Sequence, residues 1–198
     1  MELLVQLQRR DYLDGFYLVG GTALALEMGH RKSIDIDLFS NFNFDAGQIL
    51  EHLNFDFDFR LFFSSSNTLK GRIGQVEVDL IAHRYPLIRE PFSVEGITKL
   101  SLEDIAAMKL NAIAVSGQRS KDFIDIYYLL ERFSIKEMIG FYMKKYSQFN
   151  EVNVLKSIIW FEDVDLADWP VLLESPSLKW AEVKKRILRA TKDYLNQI

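Results

Sequence analysis

The stretch that decides the fold runs from Leu18 to Leu38 and reads LVGGTALALEMGHRKSIDIDL. A short apolar run, Phe16 to Val19, ends in two glycines, which is typical of a strand that enters a tight turn. Thr22 to Met28 then predicts a helix that Gly29 closes. Ser33 to Phe39 alternates polar and apolar residues, as a half-buried strand does. This stretch therefore predicts a strand, a turn, a helix and a second strand.

The residues on either side of this stretch extend the same alternation of helices and strands. Met1 to Asp14 and Asp45 to Leu53 predict helices, and Phe55 to Phe63 alternates aromatic and polar residues, which predicts a strand. Leu69 to Ile73 and Val76 to Ala82 predict two further strands joined by a two-residue hairpin turn. The first half is therefore predicted to be an α/β or α+β sheet domain.

The hydrophobic pattern changes near residue 100, where apolar residues begin to recur at spacings of three and four. This helical pattern continues to the end of the chain, broken only around Asp168 and Pro176. The predicted helices begin near Ser101 and then span Arg119 to Phe133, Ile135 to Tyr146, Val152 to Trp160 and Leu178 to Leu195. We therefore expect two domains, a sheet domain over residues 1–100 and a helical bundle or lid over residues 101–198.

The composition excludes several classes of protein. The chain of 198 residues contains no cysteine, which rules out disulfides, thiolate zinc sites and a catalytic cysteine. A net charge of -4 argues against a surface that is basic overall. The sequence shows neither a signal peptide nor an apolar stretch of membrane-spanning length, which predicts a cytoplasmic protein without membrane contact.

The two glycines at Gly20 and Gly21 have two interpretations. Glycines allow the backbone to approach a ligand closely, and the helix that starts at Thr22 would offer free N–H groups to phosphate. The alternative is a tight turn without a ligand. The sequence contains neither a Walker A motif nor a Gly-x-Gly-x-x-Gly run, so P-loop and dinucleotide-binding folds are poor candidates.

The predicted strand after the glycine turn carries two acidic residues. Asp35 and Asp37 are spaced so that both would project from one face of a strand, with Ile34, Ile36 and Leu38 on the other face. Two close carboxylates repel each other unless a cation lies between them, and such oxygen ligands suit Mg²⁺ or Mn²⁺. The alternative is a polar edge facing solvent.

Asp79 is a candidate third acid, on the strand that also carries Glu77. If this strand neighbours the first, Asp79 would join Asp35 and Asp37. Three carboxylates can hold two metal ions about 4 Å apart, as in phosphoryl transfer assisted by two metals. On spacing alone, an exposed strand residue remains the alternative for Asp79.

Four segments together resemble the AbiEii toxin family of nucleotidyltransferases, within the DNA polymerase β-like superfamily. These segments are Val19 to Leu26, Gly29 to Phe39, Ile105 to Ile113 and Arg119 to Tyr127, and the resemblance covers roughly residues 15 to 135. It implies an α+β fold with a mixed sheet followed by a C-terminal helical bundle. It also implies a metal-dependent enzyme with Mg²⁺ or Mn²⁺ as its cofactor.

The resemblance also implies roles for particular residues. The first motif, with Gly20, Gly21 and Thr22 and then Asp35 and Asp37, would bind nucleotide phosphates and the catalytic metal ions. Asp79 remains the third catalytic metal ligand that the strand pattern proposes. Lys109 would contact the nucleotide, and Asp122 would be catalytic. The position of Arg31 and Ser33 just before the acids makes both candidates for nucleotide binding.

Both distant residues have ordinary structural alternatives. Lys109 lies on an apolar, alanine-rich helix, where a lysine at the edge of the core would extend its ammonium group to solvent. Asp122 lies beside Lys121 and Asp125, which form an i, i+4 pair typical of a charged helix face. The basic residues of the last helix could contact RNA phosphates or form a solvated face.

These patterns lead to one main hypothesis. A nucleoside triphosphate would bind at Gly20 to Thr22, and its nucleotidyl group would pass to an acceptor hydroxyl. By resemblance the acceptor is RNA, such as a tRNA 3′ end, and a cognate antitoxin is the partner of the toxin. The alternatives are a nucleotide-binding module without turnover and a nucleotidyltransferase that acts on a protein or a small molecule.

Overall fold

The computed structural model describes residues 1–147 and 150–197. Among these residues the chain forms one seven-stranded sheet with the strand order β3-β4-β5-β2-β1-β7-β6. The strands are β1 Tyr17–Val19, β2 Ile36–Ser40, β3 Arg60–Ser65, β4 Thr68–Ile73, β5 Val76–Ala82, β6 Phe92–Val94 and β7 Ile97–Lys99. The helices are α1 Glu2–Gln8, α2 Gly20–Met28, α3 Ala46–Phe57, α4 Leu102–Val115, α5 Ser120–Leu129, α6 Ile135–Lys145, α7 Glu151–Ile158 and α8 Trp180–Leu195, with a 3₁₀ turn at Asp11–Leu13.

The chain divides into two compact units. The first unit, the sheet unit, comprises Met1–Ala23, Ile34–Pro86 and Glu90–Ser101. The second, the helical unit, comprises Leu24–Ser33, Leu87–Arg89 and Leu102–Ile198. Short segments from the first half of the chain thus belong to the helical unit. The division of the chain into domains at residues 1–100 and 101–198 stays a prediction.

The sheet is mixed, as expected. β2 runs parallel to β5 and β1 runs parallel to β7, whereas β1 and β2 are antiparallel. A row of leucines in register, Leu69, Leu80, Leu38 and Leu18, crosses four neighbouring strands, and each is fully buried. Because side chains alternate along a strand, the residues next to these leucines face the opposite side of the sheet. One face is therefore core, and the other is available for polar groups.

The strand predicted from Phe55 to Phe63 was wrong at its boundaries. Phe55 to Phe57 form the end of α3, and the following strand, β3, begins only at Arg60. Asp45 accepts hydrogen bonds from the first free N–H groups of this helix, and Asp58 ends it in the left-handed conformation with a φ of 51°. The aromatic residues favoured a strand, but the caps at both ends determined a helix.

Other elements also differ from the sequence interpretation. The first helix stops at Gln8 and is followed by the 3₁₀ turn, so it does not reach Asp14. The short hairpin of β6 and β7 was not predicted. The hairpin of β4 and β5 is confirmed, and Gly74 in its turn has the positive φ that such turns require.

The helical unit contains α4 to α8 together with the second half of α2. α4 packs against α5, α6 and α7, and α8 packs against α5 and α6. The apolar stripe of α8 buries Val183, Ile187 and Tyr194. A helical C-terminal part is therefore present, and its classification as a bundle stays a prediction. Nowhere in residues 1–147 and 150–197 does a helix have the length and apolar character needed to cross a membrane.

Candidate functional site

The polar face of the sheet unit brings two predicted acids together. Asp37 on β2 is in register with Asp79 on β5, and the two strands are parallel neighbours. Residues paired in this way on adjacent strands lie about 5 Å apart and point to the same face of the sheet. The adjacency that the sequence interpretation required of these strands is therefore confirmed. The apolar residues that flank both acids, Leu38 and Leu80, anchor them from the core side.

Asp35 is placed differently from Asp37. β2 pairs with β5 from Ile36 onward, so Asp35 precedes the strand, and Ile34 is 67% exposed instead of filling the core face. The backbone carbonyl of Asp35 accepts a hydrogen bond from the Thr22 hydroxyl. The strand predicted from Ser33 therefore begins only at Ile36, and the expectation that Ile34 fills the core face was wrong. The placement of the Asp35 side chain on the same face as Asp37 stays a prediction.

The glycine turn lies directly against Asp37. Gly20 has a φ of +68°, a conformation that residues with a side chain rarely adopt, and it begins α2. A Cβ atom at this position would overlap the Asp37 carboxylate. The turn therefore brings the N-terminus of α2 close to an acid of the sheet, which only a glycine at this position allows.

This close approach predicts an outcome for Gly20→Ala. A left-handed residue with a Cβ costs about 1–2 kcal/mol, and overlap with a packed neighbour adds about 1–3 kcal/mol. Gly74→Ala is the matched control, because Gly74 has a φ of +60° and no atom within 4 Å of an added Cβ. Urea denaturation should show the larger loss of unfolding free energy for Gly20→Ala. Equal losses would contradict the close approach to Asp37.

The acidic residues of the sheet unit supply some of the ligands that a hard divalent cation needs. Asp37 and Asp79 offer adjacent carboxylates, and Mg²⁺ is commonly held by one or two carboxylates, water and substrate phosphates. Within the described part of the chain, no group of three or more His, Cys, Asp or Glu residues is placed to hold a metal ion. The two strand acids therefore fit such an ion, and Asp35 stays a predicted ligand.

The helical unit contains a second cluster of charged residues, centred on Asp125. The Asp125 side chain is fully buried, and it accepts hydrogen bonds from Arg31 Nε at 2.7 Å and Arg31 Nη2 at 3.0 Å. His30 Nε2 lies 2.9 Å from the same carboxylate, and Lys109 Nζ lies 2.7 Å from it. Lys109 also donates to Asp122 Oδ1 at 2.7 Å. We call His30, Arg31, Lys109, Asp122 and Asp125 the Asp125 cluster.

Opposing effects act on the ionisation of the cluster. Burial alone would raise the pKa of Asp125, but the charge of Lys109 and the hydrogen bonds from His30 and Arg31 outweigh it and hold the pKa well below its usual range. Burial also disfavours the charged form of Lys109 and would lower its pKa, but the carboxylates of Asp125 and Asp122 raise this pKa above its usual value. Asp125 and Lys109 are therefore charged at neutral pH.

The cluster resolves two alternatives that the sequence left open. Lys109 does not extend to solvent, because it is 6% exposed and its ammonium group contacts two carboxylates. The helix of Asp122 does not present an ordinary charged face either, because Lys121 pairs with Asp168 at 3.0 Å and Asp125 is fully buried.

The sequence interpretation did not single out Asp125. The sequence does contain a pattern that points to Asp125. Asp122 and Asp125 are three residues apart on a helix and so lie on one side of it, and the residues around them, Phe123, Ile124 and Ile126, are apolar. Arg31 is 4% exposed, and Ser33 is half-buried. Within this unit, Arg31 is held by Asp125, and its role in nucleotide binding stays a prediction, as do those of Ser33, Lys109 and Asp122.

Comparison with known proteins shows which family the sequence matches. A sequence profile described as nucleotidyl transferase AbiEii toxin, type IV toxin–antitoxin system, matches residues 2–197. An uncharacterized protein of Aquifex aeolicus (strain VF5) is 33% identical over an alignment of 188 residues that covers 92% of this chain and 89% of that protein.

Two solved structures have a similar fold. The MenT4 nucleotidyltransferase toxin of Mycobacterium tuberculosis H37Rv is 15% identical, with a TM-score of 0.57 over 96% of this chain and 82% of that chain. A protein of H. pylori assigned to the nucleotidyltransferases is also 15% identical, with a TM-score of 0.56 over 99% of this chain and 93% of that chain. At this identity the likeness concerns the fold, a mixed sheet with helices.

Proposed function

The chain belongs to the AbiEii family of nucleotidyltransferase toxins of type IV toxin–antitoxin systems, and from this premise we propose that it transfers a nucleotidyl group from a nucleoside triphosphate to a hydroxyl of RNA. The observation that carries the proposal is the in-register pair of Asp37 and Asp79 beside the Gly20 turn. This arrangement places carboxylates suited to Mg²⁺ beside the N-terminus of a helix, whose N–H groups and dipole favour phosphate.

Each residue of the sheet unit has a role in the proposal. The N–H groups of Gly20, Gly21 and Thr22 bind phosphate oxygens of the nucleotide, and the Thr22 hydroxyl holds the Asp35 backbone in place. Asp37 and Asp79, with Asp35 as a further candidate, hold Mg²⁺ or Mn²⁺. When bound, such an ion neutralises charge on the phosphates and polarises the reacting phosphoryl group.

The reaction is a substitution at the α-phosphorus. The acceptor hydroxyl oxygen forms a bond to this phosphorus, the bond to the β-phosphate oxygen breaks, and pyrophosphate leaves. The hydroxyl proton passes to a base, and Asp122 is the candidate that the family resemblance supplies. By the same resemblance Lys109 contacts the nucleotide, and Arg31 and Ser33 are further candidates for this contact.

A basic groove of the helical unit supports RNA as the acceptor. This groove has a volume of about 610 Å³, and its lining includes Arg132, Lys136, Arg186 and Arg189. Glu131 and Asp193 also line it, so the cations outnumber the acids by four to two. Excess positive charge attracts the phosphate backbone of nucleic acids. A cognate antitoxin is the proposed protein partner.

The experiment that tests this function uses the full chain, each of the four labelled ribonucleoside triphosphates, Mg²⁺ and total RNA. We expect label to enter RNA, and we expect EDTA to stop the transfer because the phosphates lose their metal ion. A parallel reaction with a protein extract in place of RNA tests the other class of acceptor. Absence of labelled RNA under all four nucleotides, or label in protein alone, would contradict the proposal.

A further inference from the structure

Lys70 extends the row of polar residues that crosses the sheet. On β4 it is in register with Asp79 of β5, which is itself in register with Asp37 of β2. Side chains of residues in register on adjacent strands lie on the same face of a sheet. Lys70, Asp79 and Asp37 therefore follow one another across three strands, opposite the leucine row of the core.

The ammonium group of Lys70 forms an ion pair with Asp79 Oδ2. The Lys70 side chain is 42% exposed, and that of Asp79 is 23% exposed, so the pair lies at the surface of the sheet unit. Asp79 is one of the two carboxylates proposed to hold the metal ion. The lysine thus contacts one of the carboxylates that a cation at this site would use.

An ammonium group and a divalent cation cannot share one carboxylate without cost. Both are positive, and charges of the same sign a few ångström apart repel strongly near a protein surface. Binding of a metal ion at Asp79 therefore favours displacement of the Lys70 ammonium. Lysine is suited to such a displacement, since its charge is compact and its four-carbon stem is flexible.

We propose that Lys70 is the counter-cation of Asp79 in the nucleotide-free protein and that it moves to the phosphates of the incoming nucleotide. The metal ion alone then competes with Lys70 for Asp79. When the metal ion arrives with a triphosphate, the phosphates accept the displaced ammonium group, so the two ligands bind cooperatively. This inference rests on the proposed function, because it takes Asp79 as a metal ligand.

The test measures Mn²⁺ binding by electron paramagnetic resonance and binding of inorganic tripolyphosphate by calorimetry, in the full chain. The variants are Lys70→Met and Lys70→Gln, and the control is Arg72→Met, whose register partner is Glu77. We expect both Lys70 variants to bind Mn²⁺ alone about fivefold more tightly than the native protein, and to bind tripolyphosphate with Mg²⁺ about fivefold more weakly. Arg72→Met should match the native protein in both measurements.

The opposite signs of the two changes separate the proposal from a structural role. Loss of a merely structural ion pair would leave Mn²⁺ affinity unchanged or weaken it, and that result would overturn the inference. So would a Lys70 variant that keeps native affinity for tripolyphosphate. In both cases the native protein would still bind Mn²⁺ and transfer nucleotide, so the proposed function would stand. If the native protein and the Lys70 variants all failed to bind Mn²⁺, the inference and the metal-binding part of the proposed function would fail together.

Discussion

Asp37→Ala is expected to reduce nucleotidyl transfer by about 10³-fold or more while leaving the fold intact. A carboxylate that holds the catalytic metal contributes several kcal/mol to stabilisation of the transition state, and about 4 kcal/mol corresponds to this factor. Asp37 is half-buried on the polar face of the sheet, and the leucine row of the opposite face does not depend on it. The measurement is the initial rate of incorporation of label into RNA.

Glu77→Ala is the matched control for this substitution. Glu77 lies on β5 two residues before Asp79, and it is exposed. Its removal also takes one negative charge from the same sheet, so it controls for the general electrostatic effect. We expect Glu77→Ala to keep the native rate. If Asp37→Ala transferred nucleotide as fast as Glu77→Ala, the assignment of the catalytic centre to this sheet would be wrong.

Asp125→Asn is expected to lower the free energy of unfolding by about 3–5 kcal/mol, which is the usual cost of removing one partner of a buried ion pair. The substitution keeps the shape of the side chain but removes the carboxylate charge that Arg31 and Lys109 share, and it leaves Lys109 paired with Asp122. Urea denaturation followed by circular dichroism and by tryptophan fluorescence measures the change. A loss below about 1 kcal/mol would show that the cluster contributes little to stability.

Asp193→Asn provides the control for this prediction. Asp193 is 62% exposed and pairs with Arg189 at 3.9 Å on the surface of α8. Exposed ion pairs are screened by water and salt, so its loss should leave the urea midpoint unchanged.

The pH dependence of the free energy of unfolding gives a second test of the contribution of Asp125. The folded-state pKa of Asp125 is lowered, so its stabilising contribution is fully present above the unfolded value and is lost as the pH falls through the folded value. The native protein should therefore have a higher free energy of unfolding than Asp125→Asn at neutral pH. The difference should narrow below about pH 4, where the carboxyl groups of unfolded chains begin to take up protons.

Much of the sheet unit was predictable because its signals are local. The alternation of acids with apolar residues predicted β2 and β5, and the glycine in the hairpin turn marked the join between β4 and β5. Such patterns depend on the period of a strand or helix, which neighbouring residues determine. The start of β2 was less predictable, because a strand begins where its partner begins to pair, and Val78 is far from Ile36 in sequence.

The sequence by itself determined the order of elements around the glycine turn, the acids of β2 and β5, and the resemblance to the AbiEii family. Only the tertiary structure decided that Lys70 pairs with Asp79 and that Asp125 lies buried between Arg31 and Lys109. The physical reason is that periodicity tells which face a residue occupies but not which distant residue lies opposite. Strand register and helix packing decide that partner, and for a charged residue the partner determines whether burial is tolerated.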